Sequence, residues 1–412
     1  MPENIVTYAE AIRILQREAE KLAPAETQEL PLLETMGRVL AAPVLADRDQ
    51  PPFPRSTRDG YACIATDLRS GNPLRITGQV RAGEAWQGPP LQSGEAIEIM
   101  TGAPVPTGAD CVVMLEHVIV EASSLRLKEP RALQPGENIV PTGAEAKSGT
   151  VILPAGTRLT ASRIAAAAAC GYARPSVFRR PRIAILATGD ELVSLEATPL
   201  PHQIRNSNSY SLAAQIQAAG AEPLLLPVAR DSQADIVSAI GNAQACDLLL
   251  LSGGVSMGKY DFVEQALHHL GAEFFFTGAK IQPGRPVVFG RLPHQYFFGL
   301  PGNPVSTLVT FALFAQPLIA ALSGEVSGGP KFVLARLAHE VRGKAGLTRF
   351  LPARVNYSIG GNQDAAEGAT AALIPWQGSG DLASTASANG FAVLPNDGKT
   401  LPAGSLISIL MI

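Results

Sequence analysis

The sequence predicts a multidomain α/β plus β protein: a doubly wound, mostly parallel sheet domain, an inserted mainly β module on a helical stem, and a small C-terminal β barrel. Three observations lead there. At 412 residues the chain exceeds what one hydrophobic core organises. From Arg182 onward, short apolar runs alternate with helical stretches, the pattern of a parallel sheet with helices on both faces. Between Val44 and Gly149, by contrast, short apolar runs are broken by Gly and Pro.

Taken in order, Thr7 and Glu10 have capping-box spacing, and Tyr8, Ile12, Leu15, Ala19 and Leu22 follow at helical intervals, so the chain opens with an amphipathic helix. The module that follows contains strands such as Ile97–Met100 and Cys111–Leu115. A second helix spans Leu159 and the alanine run and is expected to return the chain to the first, which makes the module an insertion on a helical stem. Strands are then expected at Ile183–Leu186, Leu224–Val228, Leu248–Leu251, near Phe274, at Val287–Phe289 and at Phe297–Leu300. Helices are expected at Asn208–Ala219, Gln233–Ala243 and Phe262–Leu270. An uncharged, apolar stretch from Pro304 to Gly324 reads as a buried core helix, because Ser306, Thr307, Thr310, Gln316 and Pro317 interrupt it. The boundaries read as 1–47 with 146–177 for the stem, 48–145 for the module, 178–326 for the α/β domain and 327–412 for the barrel.

Composition narrows the function. A hydrophobic share of 46% against 17% charged residues indicates a folded protein, and 39 Gly with 33 Pro indicate many turns. A net charge of −3 argues against a nucleic-acid surface. Cys63, Cys111, Cys170 and Cys246 are far apart, with no metal-ligand spacing, and read as buried thiols. The acidic, non-apolar start is not a signal peptide, so a cytoplasmic protein without membrane partners is expected.

In an open parallel sheet, ligands bind beyond the carboxyl ends of the strands. The loops there are rich in polar residues. The first carries Thr188, Gly189, Asp190 and Glu191; the second carries Ser252, Gly253, Gly254, Ser256 and Asp261. The third, around Lys280-Ile281-Gln282-Pro283-Gly284-Arg285, brings two cations, and the fourth, Pro301-Gly302-Asn303-Pro304-Val305-Ser306, opens the apolar helix. Asp231 stands at another strand exit. Singly, each loop is explained by a helix cap or a turn. Jointly, glycine and hydroxyl donors, cations and carboxylates suit an anionic, phosphorylated ligand with a divalent cation between the acids and the phosphate. No dinucleotide fingerprint or P-loop is present.

These loops, with Pro52–Ala62, Ile99–Pro106, Leu153–Thr157 and Ile204–Asn208, resemble the molybdopterin molybdenumtransferase (MoeA) family and the C-terminal domain of gephyrin. The resemblance spans nearly the whole chain. It implies an α/β domain like that of MogA and a homodimer in which Asp59 of one subunit acts in the other's site. It further implies insertion of molybdate into adenylylated molybdopterin, with Mg²⁺-dependent hydrolysis that releases AMP. By position, Asp59, Glu191, Asp231 and Asp261 match the functional carboxylates, with Glu191 and Asp261 as metal ligands. Thr188, Gly189, Asp190, Asn206, Ser207, Ser252, Gly253, Gly254, Ser256, Pro301 and Asn303 are expected at the pterin or nucleotide. Lys280, Arg285, Ser306, Arg349 and Ser384 are expected at the molybdate. Expected partners are the adenylyltransferase and recipient molybdoenzymes.

The chain departs from the family pattern in three places. Gln282 and Arg285 stand where lysines flank the Pro-Gly turn, and Lys280 shares a strand face with Gln282. Val140-Pro141-Thr142-Gly143-Ala144-Glu145 replaces an arginine-containing stretch, with Glu145 for its aspartate, and Arg58 replaces a methionine. These changes leave open tungstate against molybdate, and full against reduced activity. Two other readings also stay open: a pterin adenylyltransferase and a non-catalytic pterin-binding scaffold.

Overall fold

The computed structural model describes residues 4–23, 25–243, 245–254, 262–326, 328–358 and 368–412. Helix α1 (Tyr8–Ala19) starts at a complete capping box: Glu10 donates its backbone N–H to Thr7 Oγ1, and Thr7 donates its own to Glu10 Oε2 at 2.7 Å. Ala11 and Leu15 on its buried face belong to the core of the α/β unit, among Leu318, Phe314 and Ile281. Tyr296 donates its hydroxyl to the buried Glu18 at 3.0 Å, a further tie between α1 and that unit.

The inserted module is a six-stranded sheet of β1 (Gly60–Cys63), β2 (Leu74–Val80), β3 (Glu95–Ile99), β4 (Cys111–Met114), β5 (Val118–Glu121) and β6 (Ser124–Leu127). Its order is β4-β1-β3-β2-β6-β5. Helix α2 (Ala161–Ala169) follows the return of the chain. It packs on the turn Leu32–Thr35 and the strand Val151–Leu153, around a small core that includes Leu40, Leu159 and Val177. The expected pairing of the two stem helices is therefore replaced: α1 finds a larger apolar surface on the α/β unit, and the stem is built largely from two-stranded pairs and α2.

The α/β unit contains β7 (Arg182–Ala187), α3 (Ser207–Ala218), β8 (Glu222–Leu225), α4 (Gln233–Gly241), β9 (Leu248–Ser252), α5 (Phe262–His269) and β10 (Glu273–Phe276). It continues through β11 (Ile281–Gln282), β12 (Val288–Arg291) and β13 (Tyr296–Leu300). The main sheet runs β8-β7-β9-β13-β12-β10, with β7, β8, β9 and β13 parallel and β12 antiparallel to both neighbours. Leu248–Leu251 are fully buried between two helical layers, which is why that run is continuous rather than alternating. Strand β8 lies earlier than the sequence suggests, because Leu226 makes the last bond to Ile185 and Pro227 has no N–H to continue the ladder.

The apolar stretch forms α6 (Pro304–Thr310), a π turn (Phe311–Ala315) and α7 (Gln316–Leu322). Pro317 cannot donate within the helix, and the widened turn lies immediately before it. This helix is apolar and long enough to cross a membrane, but 78% of its apolar window is buried, so it is a core helix.

The C-terminal unit has β14 (Phe332–Leu337), β15 (Thr348–Ser358), β16 (Gly368–Leu373), α8 (Leu382–Thr385), β17 (Gly390–Leu394) and β18 (Leu406–Met411). These five strands close as β15-β16-β14-β18-β17-β15, a barrel without a free edge. Strand β11 leaves the α/β unit and pairs in parallel with the start of β15, Ile281 opposite Thr348 and Gln282 opposite Arg349. That pairing holds the barrel over the carboxyl ends of the sheet.

Candidate active site

Parallel pairing of β9 with β7 on one side and β13 on the other brings their exit loops together. A Cβ on Gly253 would lie 2.8 Å from the Thr188 carbonyl oxygen, one on Gly254 would lie 2.8 Å from Thr188 Oγ1, and one on Gly302 would lie 3.6 Å from Gly253 Cα. Gly253 and Gly254 also have φ of +92° and +65°, so only glycine lets these turns meet. Thr188 Oγ1 is buried here without a hydrogen-bond partner among the described residues.

The acidic residues of the first loop sit beside the Asp231 loop. Thr188 bridges to Ala229, and Asp231 donates its N–H to Asp190 Oδ1 at 3.4 Å. The carboxylate of Glu191 folds over Gly189, where a Cβ would meet Oε2 at 2.4 Å. Asp190, Glu191 and Asp231 are all exposed. Ser256 and Asp261 lie outside the described residues.

Asn206 has a different task from the one expected. Its Oδ1 accepts from Ser209 N and its Nδ2 donates to Ser209 Oγ at 2.9 Å, so both ends of the amide cap α3. The side chain that reaches the strand exits is Asn208, which donates to Ser252 Oγ at 3.1 Å and to Gly302 O at 2.8 Å. Its other amide atom, Oδ1, is buried and unpartnered among the described residues.

A second cleft, about 320 Å³, opens between the α/β unit and the barrel, lined by Gln282, Arg285, Asn303, Ser306, Trp376 and Ser379. It is continuous with the strand exits through one loop: Pro301 and Asn303 line the cleft while Gly302 bonds Asn208. The barrel closes on α6 where Val305 donates its N–H to Ser379 O at 3.0 Å. Arg285 and Ser306, both expected at the oxyanion, share this cleft. Arg349 sits opposite Gln282, with its Nε and the Gln282 Oε1 both buried and unpartnered among the described residues.

Two expected oxyanion neighbours are elsewhere. Lys280 is exposed and is not part of the cleft wall. It lies near α1, where it adds to the hydrogen bonds from Thr7 that hold Glu10 below its ordinary range. A bend at Lys280 between two short pairings breaks the extended geometry that would align it with Gln282. Ser384 donates its hydroxyl to Asp381 Oδ2 at 2.7 Å, engaged in the cap of α8, and Ser379 takes the place in the cleft.

Asp59 belongs to the β module, before β1. Its Oδ1 accepts the Thr101 backbone N–H at 2.7 Å and the Thr101 hydroxyl at 2.8 Å, which holds the carboxyl below its ordinary range. Among the described residues, no hydrogen bond or strand pairing joins this module to the exit loops of the same chain. Glu145 forms an ion pair with Arg55 of the same module. Thr101, Asn208, Trp376 and Ser379 were not singled out from sequence; the first two lie within motifs whose neighbours drew attention, and the last two sit in a barrel loop with no distinguishing pattern.

Fold and site together define a class: a multidomain α/β protein whose strand-exit loops run into a cleft against a C-terminal barrel. Comparison with known proteins narrows that class. Residues 6–171 match the MoeA N-terminal region (domain I and II), residues 184–321 a "probable molybdopterin binding domain", and residues 334–412 the MoeA C-terminal region (domain IV). A molybdopterin molybdenumtransferase from Nostoc sp. is 35% identical over 94% of this chain and 89% of its own length. Another, from Haemophilus influenzae, is 36% identical over 73% and 74%. A crystal structure of the molybdopterin biosynthesis MoeA protein from Pyrococcus horikoshii superimposes with a TM-score of 0.71 at 30% identity, covering 99% of both chains. The chain belongs to the MoeA family.

Proposed function

We propose that this chain is a molybdopterin molybdenumtransferase, inserting molybdenum from molybdate into molybdopterin during molybdenum cofactor synthesis. The observation that carries the reading is the single loop Pro301–Asn303, which joins the strand-exit site to the barrel cleft. The exit loops offer a pterin buried hydroxyl and amide groups, while Arg285 and Ser306 in the cleft wall suit a tetrahedral oxyanion beside it. Asn303 and the first turn of α6 border the same space.

In this reading the pterin arrives adenylylated, and its phosphoanhydride is hydrolysed as molybdate binds the dithiolate. Such hydrolysis needs charge neutralisation and an oriented attacking oxygen rather than a covalent nucleophile. Among the described residues no three carboxylates form a metal cluster. Asp190, Glu191 and Asp231 nonetheless offer oxygen donors in adjacent loops, and Mg²⁺ is commonly held by one or two carboxylates with substrate phosphates and water. Glu191 would hold the ion, with Asp261 as its expected partner; when bound, the ion would offset phosphate charge. Thr101 holds the Asp59 carboxyl below its ordinary range. A homodimer in which Asp59 serves the partner's site follows from the family resemblance, supported by the lack, among the described residues, of any hydrogen bond or strand pairing between the β module and the exit loops of its own chain.

The test is release of AMP from adenylylated molybdopterin by the purified protein with Mg²⁺, with and without molybdate. Molybdate-stimulated release that falls about a hundredfold in Asp59→Asn is expected. Release indifferent to molybdate, or formation of adenylylated pterin from ATP as the main activity, would overturn the assignment.

A further inference from the structure

We infer that Asn208 is the positioning residue of the strand-exit site: its amide turns the Ser252 hydroxyl into a hydrogen-bond donor for the bound pterin and ties α3 to the exits of β9 and β13. The inference deepens the function proposed above and rests on it.

The orientation of the Asn208 amide follows from its partners. The Gly302 backbone carbonyl can only accept, so the atom 2.8 Å from it is Nδ2 and the free atom is Oδ1. The second Nδ2 proton is directed at Ser252 Oγ, 3.1 Å away, and occupies a lone pair of that hydroxyl. Ser252 is only 3% exposed, and its own proton finds no acceptor among the described residues. With Asn208 donating to it, the hydroxyl has its proton left to give.

Two more groups nearby share this condition. Among the described residues, Asn208 Oδ1 and Thr188 Oγ1 are likewise buried without partners, and the loop residues packed beside them, Gly253 and Gly254, carry no side chain to supply one. A buried polar atom left unmade is costly, so three together point to groups held ready for a ligand. One donor, one acceptor and one hydroxyl complement the aminopyrimidinone edge of a pterin, which presents both donors and acceptors. A residue fastened to two strand exits at once also fixes the spacing between them.

The experiment is a double-mutant cycle on molybdopterin binding, followed anaerobically by pterin fluorescence, with Asn208→Asp, Ser252→Ala and the pair. Asn208→Asp keeps the shape but removes both donated protons and offers the Ser252 proton a nearer acceptor. Each single change is expected to weaken binding about tenfold or more, and the pair no more than the larger of the two single losses. Asn208→Ala, which removes Oδ1 as well as both donated protons, should weaken binding at least as much as Asn208→Asp and remain non-additive with Ser252→Ala. Additive losses, as a purely structural role would give, overturn the inference, as does wild-type affinity in Asn208→Asp. Absence of binding by the wild-type protein sinks the proposed function itself, and this inference with it.

Discussion

Substitution of Gly284 by Ala tests how tightly the cleft turn is built. Gly284 has φ of +101°, and a Cβ there would lie 2.4 Å from Thr310 Cγ2, more than 1 Å inside ordinary carbon contact. Thr310 is fully buried and its hydroxyl donates to Ser306 O at 2.8 Å, so its methyl cannot swing aside without breaking that bond. The backbone conformation costs about 1–2 kcal/mol for a residue with a Cβ. Overpacking adds about 1–3 kcal/mol. Gly284→Ala should therefore destabilise the α/β unit by about 2–5 kcal/mol, read by urea unfolding with Trp376 fluorescence in the cleft as the probe. In a Thr310→Ser background the methyl is gone while the hydroxyl remains, and Gly284→Ala should then cost only about 1–2 kcal/mol. An equal cost in both backgrounds, or a loss below about 0.5 kcal/mol in the first, refutes the reasoning.

Two further outcomes are expected. Thr101→Ala removes the hydroxyl bond but keeps the larger backbone N–H contribution, so it should raise the pKa of Asp59 only part of the way, whereas Thr101→Ser should leave it unchanged; ¹³C NMR titration of the aspartate carboxyls reads this directly. Burial alone would raise Asp247, but paired bonds from Arg179 at 2.8 and 2.9 Å and the Arg182 N–H at 2.7 Å hold it below its ordinary range. The stabilisation from a depressed carboxyl is full above the unfolded value of about 4 and is lost as pH falls through the lower folded value. Asp247→Asn should therefore lower the melting temperature at pH 7 and narrow its gap to wild type below about pH 4; a gap that persists in acid would show that the charge is not the cause.

The order of elements was legible because it rests on local chemistry. The Thr7–Glu10 cap, the Leu248–Leu251 run and the apolar helix after Pro304 each state their conformation within a few residues. The gathering of Thr188, Ser252 and Pro301–Asn303 was legible too, since parallel strands deliver their exits to one rim. What sequence did not disclose depends on contacts between distant segments. Helix α1 was assigned to the stem, but its partner surface lies some three hundred residues away in Leu318. Asn206 and Asn208 are chemically identical, and only the turn of α3 decides which caps and which reaches the strands. Ser384 and Ser379 differ likewise by which of them Asp381 captures.

Strand β11 makes the border between the α/β unit and the barrel a poor place to cut. A chimera that exchanged residues 327–412 for a foreign barrel would inherit an orphaned two-residue edge at Ile281–Gln282, and the graft would need a first strand whose register and polarity matched Thr348–Arg349. Swapping this barrel therefore requires the turn at Gln282–Arg285 to travel with it, so a re-shaped cleft would be acquired by exchanging both pieces rather than one.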